Sequence, residues 1–310
     1  MTAEDTQKSD QTPQGNGEVV RKHFKFNWRM FAIVILLAAA FGSILIIVFN
    51  NCSLWSNRKF SNKLDKAIEE ATVWVHSNEA EILRANNIAL IKMLQECNVL
   101  CPTGNFGIIC DKFMATPIRP ACWKAFIDPN YPVQKWELNS AIEKGHLDDK
   151  WILYAIAPDK ADITPEQMGL FSREKRDILK TIHQLWALIQ LRKTQPKVNN
   201  EELIELLCDR IAQRLTFNPA VIDHTIQKTA FVIYASHPEK IRRRWVEKAI
   251  NNQLADGGWN DRWFRFESRE RRIRSLLTLG RPPSNPHGTI EALWLLYQVK
   301  YQYPKYFGLD

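Results

Sequence analysis

TIEALWLLYQVKYQYP at residues 289–304 has two echoes upstream, TIHQLWALIQLRKTQP at 181–196 and TIQKTAFVIYASHP at 225–238. Each opens on Thr-Ile, runs through a mostly apolar stretch with helical spacing, and closes at a proline. The second and third are introduced alike, by NPAVIDHTI and NPHGTI, and their Thr residues suit a helix N-cap. Between the repeats lie EELIELLCDRIAQRL and KIRRRWVEKAINNQL, both amphipathic. A helix apolar all round must be buried all round, so an inner helix followed by an amphipathic outer one is the repeating unit. The Thr-Ile pairs are 44 and then 64 residues apart, because the third unit follows an extra segment at roughly 260–284. The expected fold class is all-α: one N-terminal transmembrane helix plus helical-hairpin repeats forming a partial α/α toroid. An open helical solenoid is the alternative.

QLADGGWNDRW at 253–263 ends the second outer helix. Gln253, Gly257 and Trp259, spaced Q-x3-G-x-W, resemble the QW motif of squalene–hopene cyclases and other terpene cyclases. DGGW is similar to a phrase in protein prenyltransferase β subunits, and HGTIEALW from His287 resembles an inner-helix start of that superfamily. The resemblance covers about 175–308 and implies the α/α-toroid scaffold. It stops short of the chemistry: no DxDD acid occurs, and of the zinc-binding Asp, Cys and His only His287 falls at a matching place. Without any chemistry, Asp256-Gly257-Gly258 offers the positive-φ positions that stop a helix, with Trp259 lying over the next helix end.

Outward from the repeats, the other end of the chain sets the compartment. Residues 1–18 are polar and poor in aromatics, and Met30–Phe49 is a run of twenty uncharged residues. That length spans a hydrocarbon core of roughly 30 Å, and its small residues sit mid-run rather than at a cleavage site, which favours a signal-anchor. Arg21, Lys22, Lys25 and Arg29 lie closer to the span than Arg58, Lys59, Lys63 and Lys66, which favours a cytoplasmic N-terminus. The expected organisation is a tail at 1–27, the span at 28–50, a helical stalk with a Cys-rich loop at 51–160, and the repeat domain at 161–310. The location is the inner or plasma membrane, single-pass, with an extracytoplasmic C-terminal domain.

Cys97, Cys101, Cys110 and Cys122 form an even cluster in a Pro/Gly-rich stretch, which predicts disulfides in an oxidising compartment. A zinc site is the rival, but its two CxxC knuckles are missing, and free thiols are the third reading. Cys208 falls on an apolar helix face and reads as core.

The electrostatics are concentrated at 240–281, which holds twelve Lys/Arg and five Asp/Glu for a net +7, against +8 for the chain. Arg242, Arg243, Arg244, Arg262, Arg265, Arg269 and Arg272, with Trp259 and Trp263 interleaved, suit an anionic glycan, a lipid headgroup or an acidic protein. A solvated, salt-bridged face is the bland reading of the same charges. Nucleic acid is not expected for an exported domain.

A second reading is a cell-envelope polysaccharide hydrolase or lyase. His287 and Glu291 lie one helical turn apart as an acid/base couple, with Asp256 and Asp261 as further carboxylates nearby. His183, His224 and His287 each stand near an inner-helix start, but on differing faces, so neither a metal site nor a cofactor is expected. No G-x-S-x-G element is present for a serine hydrolase.

Overall fold

The computed structural model describes residues 28–118, 120–162, 178–197, 199–218, 223–260 and 283–309. Among them every element is helical and there is no strand. The chain divides into two compact units, Met1–Ile44 and Leu45–Asp310.

Helix α1 (Trp28–Asn51) contains one stretch, Met30–Asn51, long and apolar enough to cross a membrane, and its apolar window has no buried residue. At 1.5 Å per residue those 22 residues reach about 33 Å, enough for a hydrocarbon core of about 30 Å.

The second unit takes in the last turns of α1 and then α2 (Asn57–Ser77), started by Ser56, whose side chain accepts from the Lys59 amide. It continues through α3 (Glu79–Ala85), α4 (Ile88–Leu100), α5 (Gly107–Ala115), α6 (Lys135–Lys144) and α7 (Leu147–Ile156). The three Thr-Ile stretches fall in α8 (Ile178–Thr194), α10 (Asp223–Tyr234) and α12 (Pro286–Tyr297). Between them lie α9 (Glu201–Phe217) and α11 (Arg243–Asn251), and α13 (Pro304–Phe307) closes the chain.

These three helices are largely buried. Every residue of α12 except His287 is buried, and the helix packs against α10, α4 and α2. Asn285 caps it by accepting from the Gly288 amide, with Pro286 in the first turn where no amide is needed. The inner faces meet in an aromatic cluster: Trp186 of α8 lies 5.0 Å from Phe231 of α10, which lies 5.1 Å from Trp294 of α12. Tyr234 and Phe126 pack against the same rings. Helices α9 and α11 bury one stripe each, Ile204, Leu207, Cys208, Ile211 and Leu215 on the first, and Trp245, Val246, Ala249 and Ile250 on the second. The inner and outer characters follow directly from the two hydrophobic patterns.

The helices of 51–160 share this core, with α2 and α4 on α12 and α7 on α8. One expectation is overturned here. Cys97, Cys101, Cys110 and Cys122 are free thiols, as are Cys52 and Cys208. Their segment is helical: α4 and α5 carry Cys97 and Cys110 inward as packing residues, and Cys122 lies in the short 3-10 segment Ala121–Phe126. The Cys110 thiol faces the Ile91 carbonyl oxygen at 3.7 Å, and the partly exposed Cys101 lies 3.0 Å from the Thr103 hydroxyl. Burial pushes the Cys110, Cys122 and Cys208 thiols up to about 12 and Cys97 well above its ordinary value, so they behave as small apolar groups. The cysteines therefore carry no argument for an oxidising compartment.

Candidate functional site

Three places gather the polar side chains singled out in the sequence. The first is the turn after α11. Gly257 has φ +86°, and a Cβ there would stand 2.6 Å from the Glu70 carbonyl oxygen, so a side chain is excluded twice over. Gln253 donates to the Ala67 carbonyl at 2.9 Å and to the Gly257 carbonyl at 2.8 Å, tying the turn to α2. Asp256 accepts from the Gly258 amide at 3.1 Å and from Ser284, whose hydroxyl accepts from the Trp74 indole at 2.7 Å. Trp259 is 1% exposed; its indole donates to the Ala249 carbonyl and its amide to the Thr289 hydroxyl. Trp259 is thus enclosed in the protein rather than offered to a ligand, and Asp256 is held within the turn.

The turn also sets the base of the Arg-rich segment. Asn260 donates to the Pro283 carbonyl, and the Asn285 amide donates to Trp259 O at 3.0 Å. Asp261, Arg262, Trp263, Arg265, Arg269 and Arg272 lie outside the described residues, and both ends of their segment are joined at this one point.

The second place is the start of α12. Glu291 is 1% exposed, accepts from the Gln227 amide of α10 at 2.6 Å, and lies 3.5 Å from His287 Nε2. His287 lines a groove of ≈ 740 Å³ between α3 and the α12 start, with Asn78, Glu81, Arg84, Asn87 and Asn285. So the structure unites the His287–Glu291 couple and backs it with Gln227, which the sequence pattern did not indicate. Asp256 belongs to the separate turn network. The His183 side chain is partly buried on α8, and the His224 side chain lies outside the described residues. Among the described residues no cluster of three His, Cys, Asp or Glu is placed to hold a metal.

The third place was not foreseen. Glu247 on α11 is fully buried, and its carboxylate accepts from the Ser53 hydroxyl, from the Leu54 amide at 3.0 Å and from the Trp55 amide at 3.4 Å. Arg243 and Arg244, one turn before it, flank the same carboxylate at 3.5 and 3.3 Å. Arg243 also donates to Ser53, Asn57 and the Trp55 carbonyl, and Arg244 to the Phe49 carbonyl at 3.2 Å. Arg243 and Arg244 therefore build a clasp on the chain leaving α1 rather than an open stripe, while Arg242 is exposed. Beside them Lys248 donates to Asn50. Asn50 and Asn51 in turn donate to the Leu215 and Thr216 carbonyls at the C-terminus of α9. The last carbonyls of a helix lack an amide four residues on, which leaves room for side-chain donors beside the Asn218 amide that reaches Leu215 O at 3.4 Å. The signal in the sequence was the spacing RRWVE, which puts two Arg one turn from one Glu.

A fourth polar cluster links α4, α8 and α10. Glu96 receives the Tyr234 hydroxyl at 2.9 Å and the ammoniums of Lys92 at 3.2 Å and Lys193 at 3.4 Å. Burial alone would raise the Glu96 carboxyl, but the two cations and the hydroxyl outweigh it and hold the group below its ordinary value. Burial, with the charge of Glu96, pushes Tyr234 well above the usual phenol range.

Comparison with protein families, with characterised proteins and with solved structures finds no match, so the functional reading rests on the residues and their geometry.

Proposed function

We propose that this chain is a membrane-anchored binding or assembly component that holds an anionic partner through the Arg/aromatic segment 261–282. The supporting observation is the base of that segment: Asn260 and Pro283 are joined, over a fully buried Trp259. The segment itself carries seven Arg, three acids and three aromatics, a net +4, between two fixed ends. Forked guanidiniums with interleaved rings suit clustered sulfate, phosphate or carboxylate. Anchoring rests on α1, and a cytoplasmic N-terminus rests on its basic flank. The inner and outer helices support a partial α/α toroid as the scaffold.

The test is binding of the detergent-solubilised full chain to immobilised heparin and to a poly-Glu peptide. Retention that falls with salt, and is lost on reversing Arg262, Arg265, Arg269 and Arg272 to Glu, supports the reading. Unchanged retention in that variant sinks it.

The His287–Glu291–Gln227 relay beside a groove favours a second reading, a polysaccharide hydrolase or lyase. It requires turnover of cell-envelope glycan that Glu291→Gln abolishes while the protein stays folded; glycan left intact by the wild-type chain counts against it.

A further inference from the structure

Lys228 is the one Lys or Arg in the sequence of α10, and the apolar run AFVIY begins two residues after it. It is only 7% exposed, and among the described residues no hydrogen bond or ion pair reaches its ammonium. A buried charge without a partner is costly, and proteins ordinarily pair it or bind something to it. Lys228 lines a cleft of ≈ 420 Å³ with Gln213, Arg214, Phe217 and Asn218, and no described carboxylate lines it. Burial, and then the charge of Arg214, hold the Lys228 ammonium below its ordinary pKa, which is the behaviour of a cation short of an anion.

The cleft also has a defined location. It opens at the C-terminus of α9, where Asn50 and Asn51 bond the carbonyls of Leu215 and Thr216. Those two asparagines end the apolar stretch Met30–Asn51. A helix that fills the hydrocarbon core places its last residues at headgroup depth. Phe217 at the cleft rim is 61% exposed and Leu54, just past the span, is 56% exposed, apolar groups suited to an interface rather than to water.

We propose that the Lys228–Arg214 cleft binds a phosphate group, presented by the headgroup of an anionic lipid beside the span. The lipid source rests on the membrane-anchored reading above; the phosphate chemistry does not. Two cations, with the amides of Gln213 and Asn218 at the rim, match a phosphodiester, whereas a choline headgroup adds a third positive charge.

The experiment uses the full chain in a neutral maltoside detergent. Thermal unfolding is followed while dihexanoyl phosphatidylglycerol, dihexanoyl phosphatidylcholine or inorganic phosphate is added. The expected result is a rise in midpoint with phosphatidylglycerol and none with phosphatidylcholine. Lys228→Met and Arg214→Gln should each weaken the response about tenfold, the loss of one charge-assisted contact, while Lys228→Arg retains it. Lys228→Met should fold, since a methionine fits an apolar setting, which keeps the comparison interpretable. An equal response to inorganic phosphate supports the site and assigns it to a soluble anion. No response in the wild-type chain, or an undiminished one in Lys228→Met, overturns the proposal. Carbonate washing of membranes tests the anchor separately: a chain released by carbonate defeats the anchored reading and leaves the phosphate titration to be judged by itself.

Discussion

Two pairs of cations, Arg243 with Arg244 and Arg214 with Lys228, are treated in opposite ways. At the start of α11, Arg243 and Arg244 close on the buried carboxylate of Glu247, which also caps the amides of Leu54 and Trp55. At the end of α9, Arg214 and Lys228 share a cleft that no described carboxylate enters. Cation content does not separate the two, since both are pairs. What separates them is a carboxylate at the right helical spacing, three and four residues after the arginines. The first pair is architecture; in the second, Lys228 has no described anionic partner, and that difference makes its cleft a candidate for binding.

Substitutions break this comparison in a graded way. Glu247→Ala has the largest expected effect: it strands two largely buried guanidiniums and two amides, at a cost of about 3–5 kcal/mol. Chemical denaturation of the detergent-solubilised chain measures it, and a loss below about 1 kcal/mol would show the clasp to be ornamental. Gly257→Ala comes next, because a Cβ meets the Glu70 carbonyl and the φ is left-handed. The expected loss is about 1–3 kcal/mol by the same measurement. Lys228→Met, in the absence of anion, should act in the opposite direction, gaining on the order of 1–2 kcal/mol by removing an unpaired buried charge. A destabilised Lys228→Met would erase the contrast between the two pairs.

Glu96 offers an intermediate case, one carboxylate shared by two lysines, and it reads out in pH. Its folded pKa lies below the ordinary 4.5, so the unfolded chain takes up the proton first. The contribution of Glu96 is complete above its unfolded value and is lost as the pH falls toward and through its folded value. Acid unfolding curves should therefore steepen below about pH 4.5, and Glu96→Gln should flatten that limb. An unchanged slope in the variant argues against the network.

The smallest effect on stability, and the most direct on topology, is thiol labelling. Cys52 is exposed just beyond the apolar stretch, while Cys97, Cys110, Cys122 and Cys208 are buried. A membrane-impermeant maleimide should label Cys52 on the folded chain and leave these four until denaturant is added. With a cytoplasmic N-terminus, Cys52 reacts from outside the cell; labelling only after permeabilisation reverses the orientation.

Much of the fold was legible. The all-helical class, the apolar N-terminal helix and the contrast between α12 and α11 are local patterns, because burial of a helix face imposes its period on the residues. The pairing of His287 with Glu291 was legible for the same reason. Gln227, behind that pair, comes from a helix 64 residues away and leaves no local mark. The cysteines show the opposite failure: four of them close in sequence suggested bridges, yet α4 and α5 turn theirs into the core. Cysteine content does not encode direction.

The Arg run between 240 and 281 shows the same limit most clearly. By itself the sequence determined that this window is basic, that a helix precedes a glycine turn, and that Glu247 lies one turn from two arginines. Only the tertiary structure decided that Trp259 is buried, that Arg243 and Arg244 grip the chain leaving α1, and that Lys228 faces a cleft that no described acid lines. The reason is range: helical spacing acts over three or four residues and is written in the order of the chain. Whether a buried charge meets its opposite depends on groups that only folding brings within reach.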